Sequence, residues 1–115
     1  MDVRMDGRNA IITGGSRGLG RAMAMRFAES GAGVAIVARR EDVLAATKAE
    51  IEAAAPSAAV ITCTADVSSA DGVKSAFDQA INGLGQIDIV VNNAGSSMAR
   101  PFEEVTDEMW QADLE

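Results

Sequence analysis

The sequence predicts an α/β protein built on a doubly wound parallel sheet, that is, a sheet covered by helices on both faces. Two observations support this prediction. Short apolar runs alternate along the 115 residues with longer segments in which apolar residues recur at helical spacing. The short runs are also apolar on both sides, which is typical of strands buried inside a parallel sheet.

The first half of the chain predicts two strands with a glycine-rich turn and a helix between them. Residues 9–13 form the first apolar run, and glycines crowd the turn over residues 14–20. The helix that follows is expected to end near Gly31, because glycine commonly terminates helices. Residues 34–38 predict the second strand. The buried face of the helix is predicted to contain Leu19, Ala22, Met23 and Phe27.

The second half repeats this order. A second helix precedes Pro56, and residues 60–64 predict the third strand. A third helix is expected to end at Asn82-Gly83 and Gly85, and residues 87–92 predict the fourth strand. The predicted helical stripes are Leu44, Thr47, Ile51 and Ala55 in the second helix and Val73, Phe77, Ile81 and Leu84 in the third.

Composition excludes several classes of function. Lys and Arg number 10 against 17 Asp and Glu, and a net charge of −7 disfavours nucleic-acid and anionic membrane partners. No apolar run is long enough for a membrane helix and the start lacks a secretory signal, so a cytoplasmic protein is expected. The chain has no His, which excludes His-dependent nucleophile pairs and metal sites, and Cys63 is expected to be a buried, inert thiol.

The glycine-rich turn has the chemistry of a phosphate-binding loop. Gly14, Gly18 and Gly20 have the spacing G-x-x-x-G-x-G between a strand and a helix, where free N–H groups can face a phosphate. This is not the G-x-G-x-x-G fingerprint. A Walker loop is also disfavoured, because Arg21-Ala22 stands where that motif has Lys and Ser or Thr. A glycine-rich turn without a ligand is the structural alternative.

Two motifs carry a resemblance to a known family. The stretch Thr13-Gly14-Gly15-Ser16-Arg17-Gly18-Leu19-Gly20 resembles the T-G-x-x-x-G-x-G motif of short-chain dehydrogenases/reductases. Asn92-Asn93-Ala94-Gly95 is similar to the family's N-N-A-G after the fourth strand. The resemblance runs from about Arg8 to Trp110 and implies a Rossmann-type sheet, here the first four of seven strands.

The resemblance also implies the positions of a bound dinucleotide. Its phosphates and ribose would lie against the glycine loop, its adenine between two residues after the third strand, and its nicotinamide ribose beside the N-N-A-G turn. The cofactor-binding residues are then Gly14, Ser16, Arg17, Gly18, Leu19, Gly20, Asp66, Val67, Asn93, Ala94 and Gly95. Local structural roles are the alternatives: a turn-stabilising Ser16, an Asp66 that caps the next helix, and an Asn92 and Asn93 that tie loop backbone to neighbouring strands, a role favoured for Asn92.

The end of the second strand predicts the choice of nicotinamide cofactor. NAD enzymes of this architecture place an acid there to bind the ribose 2′-hydroxyl, whereas this chain has Ala38-Arg39-Arg40. A guanidinium pairs with a 2′-phosphate, and Arg17 could approach the same phosphate from the glycine loop. NADP(H) is therefore expected rather than NAD. Solvated surface arginines are the alternative, above all for Arg40.

The family resemblance also implies chemistry that this chain does not carry. Family members use a Tyr-x-x-x-Lys unit as proton relay, and the chain has no Tyr. Residues 1–115 are therefore expected to be the N-terminal, cofactor-binding part of one domain in a longer, homo-oligomeric reductase. The whole protein would transfer a hydride between NADP(H) and a carbonyl or alcohol substrate, and the segment alone would be inactive. The alternative is a noncatalytic dinucleotide-binding module, while a methyltransferase is disfavoured because it also usually has an acid after the second strand.

Overall fold

The structure is a computed structural model, and it describes residues 5–14 and 18–93. Parallel strands alternate with helices throughout this part of the chain, which confirms the predicted fold class. The sheet has the strand order β3-β2-β1-β4. The elements in chain order are β1 (Asn9–Thr13), α1 (Gly18–Glu29), β2 (Gly33–Ala38), α2 (Glu41–Ala54), β3 (Val60–Thr64), α3 (Ala70–Leu84) and β4 (Ile89–Asn92).

The strand order reverses direction at β1. From β1 the chain moves outward through β2 to β3, and α3 then returns it to β4 on the other side of β1. The register aligns Thr13, the last residue of β1, with Val37 on one side and Asn92 on the other. The segments after β1 and β4 therefore leave the sheet side by side. In doubly wound sheets, ligands bind in the crevice at this reversal point.

Helices cover both faces of the sheet, as the apolar strands require. Ile12 and Ile36 are fully buried on the face that packs against α1 and α2. Their neighbours Ile11 and Ala35 are fully buried on the opposite face, beneath α3. This alternation follows from the two-residue period of a strand, and the burial of both sets explains why the runs have no polar side.

The buried face of α1 differs from the predicted stripe. The residues in contact with the sheet are Gly20, Ala24 and Ala28, while Leu19 is 67% exposed and Ala22 is also exposed. The other two predicted members, Met23 and Phe27, are half-buried. Small residues at intervals of four let the helix lie close to the strands, and the larger apolar residues are displaced to the sides of that contact.

The remaining elements follow the prediction with local differences. The α2 stripe is buried as predicted, but Ile81 of α3 is 45% exposed because Ala76, Phe77 and Ala80 make the contact. α3 continues through Asn82-Gly83 and ends at Gly85, whose φ is 94°. None of the described helices has the length and apolar character that a membrane crossing requires.

The fourth strand is shorter than predicted at its beginning. β4 starts at Ile89 and not at residue 87. Just before it, the carboxylate of Asp88 accepts the backbone N–H of Asn9 at 2.8 Å, so a side chain makes the contact that strand backbone would otherwise make. The Asn9 side chain in turn donates to the carbonyl oxygens of Leu84 and Gln86. These contacts fix the end of α3 against the start of β1.

Candidate functional site

The predicted site residues that the structure describes lie at the carboxyl edge of the sheet. Each follows one of the four strands, and in a parallel sheet those ends share one edge. Ser16, Arg17, Ala94 and Gly95 lie outside the described residues. The described members are Gly14, Gly18, Leu19 and Gly20 after β1, Arg39 and Arg40 after β2, Asp66 and Val67 after β3, and Asn93 after β4.

The turn between β1 and α1 requires glycine at its two ends. Gly14 has φ +70° and Gly18 has φ +52°, a left-handed conformation that residues with a Cβ rarely adopt. The N–H of Gly14 donates to the carbonyl of Val37 at 2.9 Å, which fixes the start of the turn to β2. Among residues 5–14 and 18–93, no heavy atom lies within 4 Å of a Cβ placed on Gly18, so these residues leave the surface there open. The N-terminus of α1 begins at this open surface.

Gly20 brings three segments of the site together. A Cβ at this position would collide with the carbonyl oxygen of Gly14, and it would lie 2.9 Å from Nδ2 of Asn93. Only a residue without a side chain therefore allows α1 to approach both the glycine turn and the segment after β4. The third glycine of the motif thus has a packing role as well as its predicted proximity to the phosphates.

Thr13 connects the ends of β1 and β4 through its hydroxyl. The N–H of Asn93 donates to Oγ1 of Thr13 at 3.0 Å, and this hydroxyl donates to Oδ1 of Asn92 at 3.0 Å. The Asn92 side chain is thus bound to the neighbouring strand, as its structural alternative required, but the residue that holds the loop backbone at Asn93 is Thr13. In the sequence Thr13 stands out only as the first residue of the glycine motif, and no function was predicted for it. Its position at the end of a buried strand, beside a polar turn, was the available signal.

The two arginines after β2 have different surroundings. Arg40 donates from Nε and Nη2 to the two carboxylate oxygens of Asp42, at 3.3 and 2.8 Å. This hydrogen bonding from Arg40 lowers the pKa of Asp42. Arg39 is exposed, and within the described part of the chain no carboxylate lies within 4.0 Å of its guanidinium. Arg39 is therefore the arginine that is available to an added anion.

Asp66 forms a turn of its own and does not cap α3. Its Oδ1 accepts from the N–H and the hydroxyl of Ser68, at 2.9 and 2.6 Å, and these bonds, together with the more distant charge of Arg39, lower the pKa of Asp66. The cap is Ser69, whose Oγ accepts the N–H of Gly72 at 3.0 Å. The alternative in which Asp66 caps the helix is therefore wrong, because the Asp66 carboxylate is already bound to Ser68.

Gly72 is a residue that the sequence analysis missed. A Cβ here would overlap the carbonyl group of Asp66, so the Asp66 turn and the first turn of α3 fit together only around a glycine. A glycine in the first turn of a helix, a few residues after a predicted site residue, was the signal. By this contact Gly72 fixes the path of residues 66–68 at the carboxyl edge.

Neither a reactive thiol nor a metal centre is found in the described part of the chain. Cys63 is fully buried in β3, and burial raises the pKa of its thiol to about 11, which confirms that it is a core residue. Within residues 5–14 and 18–93, no group of three or more His, Cys, Asp and Glu residues is arranged to hold a metal ion.

A glycine turn at the reversal point of a doubly wound sheet is the arrangement with which α/β proteins of the dinucleotide-binding class hold phosphates. The family model for short chain dehydrogenases matches residues 8–115, and the chain belongs to this family of oxidoreductases. It is 38% identical over 106 residues to 3beta-hydroxysteroid dehydrogenase 2 of Eggerthella lenta, covering 91% of this chain and 40% of that protein. It is 37% identical over 102 residues to glucose 1-dehydrogenase of Gluconobacter oxydans, covering 89% of this chain and 38% of that protein.

Solved structures show the same similarity. L-sorbose reductase from Gluconobacter frateurii, complexed with NADPH and L-sorbose, superposes with a TM-score of 0.79 at 35% identity, covering 97% of this chain and 42% of that one. A 7α-hydroxysteroid dehydrogenase complexed with NADH and 7-oxo glycochenodeoxycholic acid has a TM-score of 0.78 at 32% identity, covering 97% of this chain and 43% of that one. The chain therefore spans about two fifths of the length of these relatives.

Proposed function

We propose that this chain is the cofactor-binding part of an NADP(H)-dependent reductase that transfers a hydride between NADP(H) and a carbonyl or alcohol substrate. The observation that carries the proposal is the pair Arg39 and Arg40, which directly follows the last residue of β2, where NAD enzymes of this architecture have an acid. The sorbose reductase was solved with NADPH and the hydroxysteroid dehydrogenase with NADH, so family membership leaves both cofactors open. The residues after β2 favour NADP(H), because a guanidinium can bind a 2′-phosphate through paired, charge-assisted hydrogen bonds.

The described residues fit the other parts of the cofactor. The open surface over Gly18 and the free N–H groups at the start of α1 suit a pyrophosphate, and Leu19 offers an exposed apolar side chain beside it. Asp66 and Val67, after β3, would flank the adenine, and Asn93 would lie beside the nicotinamide ribose. In the same proposal, Ser16 and Arg17 complete the phosphate loop and Ala94 and Gly95 continue the turn after Asn93.

The reaction needs groups that the family places elsewhere in the domain. NADPH, when bound, supplies the hydride, and reduction of a carbonyl also requires a proton for its oxygen. The chain contains no Tyr and no His to deliver that proton. We therefore assign to this segment the binding and orientation of the cofactor, and the proton donor to the remaining part of a longer domain. Homo-oligomerisation and a cytoplasmic location stay predictions from the sequence.

The test is the affinity of the full-length protein for the two cofactors. Arg39→Ala should weaken NADPH binding by about 10- to 100-fold in calorimetry and leave NADH nearly unchanged, because a hydrogen-bonded pair of charges is lost. Arg8→Ala is the matched control. It removes the same charge at the opposite edge of the sheet, roughly 16 Å away along β1, which is beyond the screening length at physiological salt.

Three results would count against the proposal. If Arg39→Ala lowered the affinities for NADPH and NADH equally, the 2′-phosphate assignment would be contradicted. It would also be contradicted if Arg8→Ala lowered the affinity for NADPH as much as Arg39→Ala does. NADPH binding without any oxidation of NADPH, over a range of aldehydes and ketones, would favour the noncatalytic binding module over the reductase.

A further inference from the structure

We infer that Asp42 is a specificity-determining residue that competes with the 2′-phosphate of the cofactor for Arg40. The inference rests on the proposed function and extends it to an acid that no cofactor motif includes. Of the two arginines after β2, Arg39 has no carboxylate within 4.0 Å in the described segments, whereas Arg40 is bound by Asp42 through two hydrogen bonds. The same end of the strand thus presents one available and one occupied guanidinium.

The local backbone explains how Asp42 reaches Arg40. Arg40 is the N-cap residue of α2 with an extended conformation, φ −108° and ψ 116°, and it makes no side-chain capping bond. Its side chain is therefore free to fold forward over the first turn of the helix. Asp42 stands in that turn, and its two oxygens meet Nη2 and Nε at 2.8 and 3.3 Å. A guanidinium held in this way must leave the carboxylate before it can bind a phosphate.

The exposure of the pair sets the size of the effect. The side chains of Arg40 and Asp42 are 65% and 68% exposed, and ion pairs in such surroundings shift an equilibrium by roughly two- to fivefold. A phosphate dianion can therefore displace Asp42, but its affinity for Arg40 is lowered by that factor. Hydrogen bonding from Arg40 also lowers the pKa of Asp42, so the carboxylate is charged at neutral pH. Asp42 is thus expected to weaken the preference for NADP(H) without abolishing it.

A general effect of acids in this helix turn is the alternative explanation. Glu41 is also exposed in the first turn of α2, where the positive end of the helix dipole stabilises negatively charged side chains. It has no ion pair with Arg40 in the described structure. Glu41→Gln therefore removes the same charge from the same turn and leaves the Arg40 pair intact, which makes it the matched control for Asp42→Asn.

The probes are 2′,5′-ADP, which carries the extra phosphate, and 5′-AMP, which lacks it, measured by calorimetry on the full-length protein at low salt. Asp42→Asn should bind 2′,5′-ADP about two- to fivefold more tightly and bind 5′-AMP as the parent protein does. Glu41→Gln should give less than half of this gain. In the Arg40→Ala background, Asp42→Asn should give none.

The inference is overturned if Asp42→Asn leaves 2′,5′-ADP binding unchanged, if Glu41→Gln gives an equal gain, or if the gain persists without Arg40. These failures are distinct from failure of the proposed function. If the parent protein binds 2′,5′-ADP no better than 5′-AMP, the NADP(H) assignment fails and the inference fails with it. If the parent protein prefers 2′,5′-ADP and Asp42→Asn does not change that preference, only the role of Asp42 is lost.

Discussion

Replacing Thr13 with Val tests whether the hydroxyl between β1 and β4 stabilises the site. The change keeps the branched shape of the side chain but removes the oxygen that accepts from Asn93 N–H and donates to Asn92 Oδ1, both at 3.0 Å. Thr13 is only 9% exposed, so water has limited access to replace these bonds. The substitution therefore leaves a backbone donor at the start of the segment after β4 without its partner.

The expected loss of stability is about 2 kcal/mol. An unpaired, partly buried N–H costs about 1–3 kcal/mol, and a lost hydroxyl–amide bond costs roughly 0.5–1.5 kcal/mol. Burial of a methyl group in place of the hydroxyl returns about 1 kcal/mol. Thr13→Ser is the matched control, because it keeps the hydroxyl and loses one methyl group, at a cost of about 0.8 kcal/mol.

Urea unfolding of the full-length protein measures both variants, and hydrogen exchange at Asn93 reports the bond itself. Thr13→Val should be less stable than Thr13→Ser, and the Asn93 amide should lose its protection only in the Val variant. A Val variant as stable as the parent protein, or more stable than the Ser variant, would refute the assignment of a stabilising role to the hydroxyl.

Three further predictions follow from single contacts. Gly20→Ala should lower the free energy of unfolding by about 1–3 kcal/mol, which is more than Gly18→Ala should, because a Cβ on Gly20 meets the Gly14 carbonyl whereas one on Gly18 meets no described heavy atom and adds only the strain of a positive φ. Equal losses of stability in urea unfolding would contradict this. Cys63, with a pKa of about 11, should react with iodoacetamide at pH 8 only when urea opens the fold, and rapid labelling of the native protein would show that it is accessible. The carboxyl group of Asp66 should titrate below 3.8 in NMR spectra, so its contribution to stability is present above that pH and is lost as the pH falls through the folded-state pKa. Ser68→Ala should raise the midpoint of this Asp66 titration, and an unchanged midpoint would contradict the role of the Ser68 bonds.

Features defined by continuous runs of residues could be predicted from the sequence. β1 and β3 begin and end where the apolar runs do, and the C-terminal ends of α1 and α3 lie where glycine is needed for a positive φ, at Gly31 and Gly85. These features depend on neighbouring residues in the chain. The position of the glycine turn directly after β1 could be predicted for the same reason, whereas its place at the reversal of strand order depends on strand pairing and was not predicted.

Features that depend on distant contacts could not be predicted. Hydrophobicity selects Leu19 as a core residue of α1, but the distance between helix and sheet selects Gly20, Ala24 and Ala28. A helix-capping role for Asp66 was compatible with the sequence, but Ser68 binds its carboxylate and Ser69 is the cap. Likewise, nothing in the sequence around Gly72 states that the carbonyl of Asp66 lies against it. The packing of α1 is decided by the sheet and that of Gly72 by the Asp66 carbonyl, whereas the Asp66 turn is a local contact that the sequence alone left open.

The distribution of acids among the helices is compatible with the proposed binding of a polyanion by a chain of net charge −7. α1, α2 and α3 each follow a parallel strand, so their positive N-termini lie at one edge of the sheet. α2 begins with Glu41 and Asp42, and α3 has Asp71 in its first turn, so both helices already carry a negative charge there. The first turn of α1 has no acid, and no heavy atom of the described residues lies within 4 Å of a Cβ on Gly18, where this helix starts. Among the described helices, α1 is thus the one whose N-terminus favours an added phosphate. The excess negative charge of the chain repels an anion along this whole edge, and it does so less at the start of α1 than at the starts of the other helices.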